Sequence, residues 1–368
     1  MKKIIVILIL TLFLTGCFSY KDVNRVVFVT SLGIDIDEDN NTIIYAEAFS
    51  SLRGVGETSE EEGRVVFRGI GNTIYEAIRN LFASSSLRLN FTQNKAIIFS
   101  ERAAKYGLDN FLDTLIRDQE FLVRQYLYIS KVDLEELMKI KLQEEKYLGI
   151  FLADLSENRP SITKRPQMRI DEFLICRKLG SKINAISIIE KDHTAITERI
   201  FIKKLAVFKE DKMINELNYD ETFYYNIAVD ELKTGFIQVP NPDEKGKLMD
   251  FEILKTKTKT HINYDGENID VKKEINMEIT VAYAQITIHL NNKKDREKLS
   301  KYAAEDIKKG CLDLYNKYKD IDVDIFNLKR HIDAKYPHAD IDETLNSVNL
   351  IIEPNIRIEG SSDITNFY

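Results

Sequence analysis

Cysteine and histidine are scarce in this sequence, three and five among 368 residues, and none lie close together. That scarcity excludes a disulfide-stapled miniature fold and leaves little material for a zinc site. Basic residues are outnumbered, 52 Lys and Arg against 59 Asp and Glu for a formal net charge of −7. This balance disfavours a generic nucleic-acid binder, because affinity for phosphate backbones is carried by cations. No internal repeat or low-complexity tract is present, and neither is a Gly-x-Ser-x-Gly elbow or a Ser-x-x-Lys signature with its companions. What remains is globular material, 44% apolar and 30% charged. The chain exceeds the roughly 250–300 residues at which one core stops growing, so two or three domains of a largely water-facing protein are expected.

The amino terminus reads as an export signal. Lys2 and Lys3 precede an apolar run over residues 4–14 that is interrupted only by Thr11. Such a run has the length of a secretory core and is too short to span a bilayer comfortably. It ends in Leu14-Thr15-Gly16-Cys17, which resembles the lipobox of bacterial lipoproteins. The resemblance implies cleavage after Gly16 and diacylglyceryl modification of Cys17, so residues 1–16 form the signal peptide. Two acyl chains, at about 0.8 kcal/mol per buried methylene, meet the requirement for stable anchoring without a spanning helix. Cleavage removes Lys2 and Lys3, and no basic cluster follows Cys17, so lipid alone must hold the protein to a membrane.

Beyond the signal, β-rich runs over 23–36 and 42–51 flank the polar turn Asp37-Glu38-Asp39-Asn40-Asn41, a hairpin pattern. Residues 53–63 read as a mobile loop. Strand and helix patterns then alternate: Val65-Val66-Phe67, a helical stripe of Ile74, Ala77, Ile78, Leu81 and Phe82, the strand Ala96-Ile97-Ile98-Phe99, a second stripe of Leu108, Phe111, Leu112 and Leu115, and a strand over 122–129. This alternation predicts an α/β unit with a partly parallel sheet. Residues 134–155 read as helical, 159–169 as polar, 171–178 as a short helix and 183–189 as a strand. A main boundary is expected near 191–199, dividing an N-terminal α/β region (17–195, one or two subdomains) from a C-terminal α+β domain (199–368). That second part opens with meander strands on either side of Lys203-Lys204. It continues with a β stretch over 274–290 and a helix of five or six turns with Asp295 as N-cap. The helix stripe is Leu299, Tyr302, Ala303, Ile307, Cys311, Leu314 and Tyr318. An edge strand carrying Val348, Leu350, Ile352, Ile356 and Ile358 in one phase through Pro354 closes it. The fold class is therefore mixed α/β and α+β, with a long helix packed on an antiparallel sheet.

Constellations that imitate chemical sites are incomplete. Asp35-x-Asp37-x-Asp39 and Asp320-x-Asp322-x-Asp324 begin like calcium loops. Asn40 and Ile325 replace the turn glycine, and Ala46 and His331 replace the bidentate glutamate, so a hairpin turn and a solvated face are the better readings. Gly69-Ile70-Gly71 stands where a phosphate cradle would, but Ile74 occupies the third glycine position, which favours a simple turn capped by Asn72 or Thr73. His193, His331 and His338 lack companions at ligand spacing. Cys176 and Cys311 sit on apolar helical faces as small hydrophobes, and their pairing is left open.

Several segments, in order, resemble the Ger(x)C family of spore-germination lipoproteins, the C subunits of nutrient germinant receptors. They are Cys17 with Val29-Thr30-Ser31-Leu32-Gly33-Ile34-Asp35, then Gly71-Asn72-Thr73-Ile74-Tyr75-Glu76-Ala77-Ile78-Arg79, then Asn94-Lys95-Ala96-Ile97-Ile98-Phe99-Ser100. Asp113 with Arg117-Asp118-Gln119-Glu120 follows, as do Leu205-Ala206-Val207-Phe208-Lys209 with Glu221-Thr222. Asp324-Ile325-Phe326, Tyr336-Pro337 and Ile356-Arg357-Ile358-Glu359-Gly360 complete the set. The chain departs from the family in having Phe18 after the lipid cysteine and no tryptophan anywhere. The resemblance implies a three-domain arrangement of helix-flanked sheets. It also implies a non-enzymatic, cofactor-free and metal-free subunit, lipid-anchored on the outer face of the spore inner membrane beside two integral-membrane subunits. A tethered solute-binding protein of a transporter is the alternative, although the second half does not mirror the first as two lobes should. Cys17 is the expected lipidation site. Gly71, Glu76, Arg79, Arg117 and Asp118 are expected to hold the N-terminal body through a buried or clustered ion pair.

Overall fold

In a computed structural model, residues 26–50, 63–157, 168–241, 244, 246–285, 288–289, 293–338, 348–359 and 366–367 are described. The signal peptide, Cys17, most of the expected mobile loop and most of the polar 159–169 stretch lie outside them.

Strands β1 (Val26–Ile36) and β2 (Thr42–Ser50) form the expected antiparallel hairpin. Its turn is closed by Asp37, whose Oδ1 accepts from the amides of Asp39 (3.0 Å) and Asn41 (2.8 Å). The first acidic triplet thus serves a turn, as its polar spacing suggested. β3 (Arg64–Gly71) adds to β2, and α1 (Ile74–Ala83) packs back on it. Then come β4 (Arg88–Asn90), β5 (Ala96–Ser100), α2 (Glu101–Tyr106), α3 (Asp109–Arg117), β6 (Tyr126–Ser130), α4 (Leu134–Lys139), α5 (Leu148–Glu157), α6 (Ile170–Cys176) and β7 (Ile183–Lys191). β1, β5, β6 and β7 run parallel at the centre of the sheet. Every residue of β5 is buried, as befits a strand covered on both faces. On one face Ile97, Phe99 and Leu127 meet Phe111, Leu112, Leu115 and Phe173. On the other, Ala96, Ile98 and Tyr128 meet Leu134, Leu137, Leu148 and Leu152. The helical stretch expected over 134–155 is two helices, because the chain leaves α4 at Ile140 in an extended conformation and restarts only at Leu148.

The sheet does not stop at residues 191–199. That segment joins β7 to β8 (Ile200–Lys209), which pairs antiparallel with β7, and β9 (Lys212–Leu217) follows. The strands expected to open the second architecture therefore finish the first, a nine-stranded sheet in the order β3-β2-β1-β5-β6-β7-β8-β9, with β4 on β1. Lys203-Lys204 does not divide two strands; both residues lie within β8.

After α7 (Tyr219–Ala228) come β10 (Gly235–Pro240) and the long antiparallel pair β11 (Leu248–Tyr264) and β12 (Ile269–Ala284). The short β13 (Ile288–His289) pairs with β15 (Asn366–Phe367). α8 (Lys293–Lys319) is the predicted long helix. Its buried stripe is Leu299, Ala303, Ile307, Cys311, Leu314, Tyr315 and Tyr318. Asp295 lies inside its first turn, not at the N-cap, where its carboxylate still faces the positive end of the helix dipole. α9 (Leu328–Lys335) and the edge strand β14 (Val348–Ile358) complete the second sheet, ordered β10-β11-β12-β14. β14 runs parallel to β12, so the sheet is mixed, with Pro354 tolerated because the strand is at the edge. One continuous core joins Ile183, Leu205 and Leu217 of the first sheet to Phe251, Ile275 and Met277 of the second and to Ala303 and Ile307 of α8.

Candidate functional site

The sequence-predicted residues fall in two places. Gly71 ends β3, where an added Cβ would stand 2.5 Å from the Ala77 amide nitrogen; at Gly69 it would meet the Ala77 carbonyl oxygen at 2.3 Å. Both glycines therefore exist for close strand–helix approach. Thr73 caps α1 by accepting from the Glu76 amide (3.2 Å), and Glu76 Oε2 accepts from the Asn72 amide (2.8 Å). Arg79 is exposed on the same helix. Arg117 pairs with Asp113 one turn earlier on α3 at 3.0 Å, both more than two-thirds exposed. Asp118 accepts from the Glu120 amide (2.9 Å). Four of the five serve a close approach, a helix cap, a surface pair and a turn, Arg79 stands exposed, and no buried ion pair forms among them.

The buried ion pair is elsewhere, at Glu47 of β2. A bulge in β1 sets Thr30 and Ser31 together opposite Glu47. Both hydroxyls donate to Glu47 Oε2, at 2.8 and 2.9 Å. Arg64 Nε donates to Oε1 (2.7 Å), and the first amides of α5, Leu148 and Gly149, donate at 2.9 and 3.1 Å. Arg64 also reaches the carbonyls of Ile140 (2.6 Å) and Met138 (2.8 Å) at the end of α4. One fully buried carboxylate thus ties three strands to two helices, and its charge complements the α5 amino end. Gly149 is required, since a Cβ there would fall 1.9 Å from the Thr30 carbonyl oxygen. The visible signal was a lone Glu within an apolar strand; the bulge that gives it five donors has no sequence signature. A smaller anchor joins Asp35 to Arg102 (2.7 Å) and to Ser100, which also caps α2.

The second sheet buries a cation. Lys273 takes a core position between Val271 and Ile275 on β12 and is 1% exposed. Its Nζ donates to Thr260 Oγ1 (3.1 Å) and lies over the Phe326 ring, and burial pulls its pKa down to about 8. Buried Asp324 caps α9 through the amides of Leu328 and Lys329, both at 2.8 Å, and accepts from Ser181 (2.7 Å). Burial raises its pKa. Asn327 donates to the Ile183 carbonyl (2.9 Å), so the entrance of α9 is fastened to the α6–β7 connection. The second acidic triplet therefore contributes a helix cap. Cys176 and Cys311 are both free thiols, and His193, His331 and His338 are exposed.

Two open grooves mark the second half. One of about 380 Å³ lies between α7 and α8, where Tyr224 donates to Asp306 (3.1 Å) and its ring rests on Gly310. The other, of about 750 Å³, is lined by side chains of β11, β12, β14 and α8, among them Lys255, Lys257, Lys259, Lys301 and Arg357. Among the described residues no group of three or more His, Cys, Asp or Glu is placed to hold a metal ion. Nor is any described helix long and apolar enough to cross a membrane. The arrangement is one of packed scaffold and charged surface grooves, suited to binding.

Residues 19–189 match the family described as "Spore germination protein N-terminal domain", and residues 203–362 match "Spore germination B3/ GerAC like, C-terminal". The chain belongs to the Ger(x)C family of spore germination proteins. Among similar proteins, spore germination protein GerQC of Bacillus cereus is 25% identical over 330 residues, covering 90% of this chain and 89% of that one. Spore germination protein KC of Bacillus subtilis is 28% identical over 144 residues, 37% of this chain and 35% of that one. The crystal structure of the GerBC protein superposes with a TM-score of 0.58 at 14% identity, covering 89% of this chain and 96% of that chain, and shares the fold. The Ger(x)C resemblance read from dispersed motifs is thus the family of the chain, and its mixed α/β sheets with flanking helices are the family fold.

Proposed function

We propose that this Ger(x)C protein is the C subunit of a nutrient germinant receptor, tethered by a diacylglyceryl group on Cys17 to the outer face of the spore inner membrane. In this reading it acts through contacts with two integral-membrane subunits and not through catalysis. The observation that carries the reading is the ordered match of both family regions, beginning at residue 19, directly after the lipobox Leu14-Thr15-Gly16-Cys17. Supporting it, the buried carboxylates Glu47, Asp35 and Asp324 are consumed by caps and anchors. A functional domain division near 191–199 accords with the two family matches, even though the first sheet runs across it.

The test is affinity purification from spore membranes of the wild-type chain and of Cys17→Ala. The expected result is co-purification of two multi-pass subunits with the wild type and their absence from the material purified with the variant. Recovery of transporter components in their place, or unchanged nutrient-triggered germination after deletion of the gene in a strain without a paralogue, would reject it.

A further inference from the structure

The sequence is acidic overall, yet the 750 Å³ groove on the second sheet is lined by five cations and a single carboxylate, Glu278. Lys255, Lys257 and Lys259 are exposed at every second position of β11, beyond the stretch that β10 covers. Lys257 is held by Asp230, Lys301 lies 4.0 Å from Glu305 and Arg357 3.4 Å from Glu359, whereas Lys255 and Lys259 are not within salt-bridge distance of a carboxylate among the described residues. Across β12 and β14 the same face presents the amides of Asn276 and Asn355 and the guanidinium of Arg357.

We propose that this groove docks an extended acidic segment of a partner polypeptide, a proposal that rests on the receptor-subunit reading. Alternate side chains on a strand recur about every 6.8 Å. An extended peptide with carboxylates at every second residue therefore matches the three lysines in register, which a compact anion does not. A flat anionic bilayer fits poorly, because Glu274 and Glu353 stand beside the groove on the same face and would be pressed against lipid phosphates, whereas a single strand seated in the groove meets Glu278 alone among the lining carboxylates. Recognition runs through side chains and not strand addition. The Thr256 amide donates to the Lys233 carbonyl and the Thr258 amide to Asp230, while Pro354 removes a donor from the β14 edge.

The probe is a short fluorescent peptide with aspartate at alternate positions, titrated by anisotropy onto the full-length chain in detergent micelles at low salt. Lys255→Gln with Lys259→Gln is expected to weaken binding about tenfold. The charge-matched control Lys247→Gln with Lys308→Gln is expected to leave it unchanged, and added salt to weaken the wild type. Equal affinity of both double variants, no binding of the peptide, or lysine-dependent capture by phosphatidylglycerol vesicles in its place would overturn the proposal. The same two double variants are carried through the spore-membrane purification. If the wild type brings down no membrane subunits, the receptor reading fails while the peptide titration still decides the groove. If all variants bring them down equally, the groove proposal alone fails.

Discussion

The two sheets of this protein each bury a charge, and they treat it in opposite ways. In the first, Glu47 receives five donors from two hydroxyls, a guanidinium and two helix-end amides. In the second, Lys273 has one hydroxyl partner and an aromatic face. A buried charge with a full set of partners holds its surroundings together, whereas one with few is held in place by its neighbours at a desolvation cost. The first sheet therefore depends on its ion. The second carries its ion as a burden, stabilised by the surrounding apolar core of Phe251, Ile275 and Met277.

The sharpest way to break this contrast is Glu47→Gln. It leaves Arg64 charged and nearly buried without its partner and sets an amide against donors, so a loss of about 3–5 kcal/mol is expected, read as a lowered midpoint in urea unfolding. A loss within 1 kcal/mol would mean that the five bonds are worth little beyond what water supplies. Lys273→Met comes next and points the other way: unchanged stability or a gain of up to about 2 kcal/mol at pH 7. Its pH dependence sharpens the point. The folded protein releases the Lys273 proton near 8 and the unfolded chain near 10.5, so between those values the unfolded state binds more protons. The wild type is destabilised in full below pH 8 and gains stability relative to Lys273→Met as pH rises toward 10, by up to about 3 kcal/mol. A parallel pair of stability curves for the two proteins over that range would show that the amine is already solvated or neutral. The smallest effect belongs to Arg117→Ala, whose exposed pair with Asp113 is worth no more than about 0.5 kcal/mol. A large loss there would restore to Arg117 the structural weight that its motif suggested.

Much of the fold was legible because it follows from periodicity. The hairpin around Asp37, the stripes of α1 and α3, the buried strand β5 and the apolar face of α8, where Tyr315 is buried in place of the expected Tyr302, are all local patterns with one low-energy solution each. The division of strands between sheets was not legible. β8 looks the same on paper whether it pairs with β7 or begins a new meander, and only the partner across the turn decides. Similarly, Gly71 and Glu76 stood out as motif residues, but their motif marks a helix start and not a buried pair. Lys273 escaped notice because the Lys272-Lys273 pair reads as surface charge. The β12 alternation puts Lys273 inward and Lys272 against Glu353 of β14.

The sequence by itself determined the class of the fold and, through dispersed motifs in a fixed order, the family. These depend on residues near one another along the chain or on their order, which the linear text preserves. Tertiary structure alone decided that Thr30, Ser31, Arg64, Leu148 and Gly149 converge on Glu47, and that three lysines of β11 share a groove with Arg357 and Lys301. Such sites are made by a bulge, a sheet register and a helix crossing. Each is selected by packing over distances of tens to a hundred residues, so no local pattern encodes it.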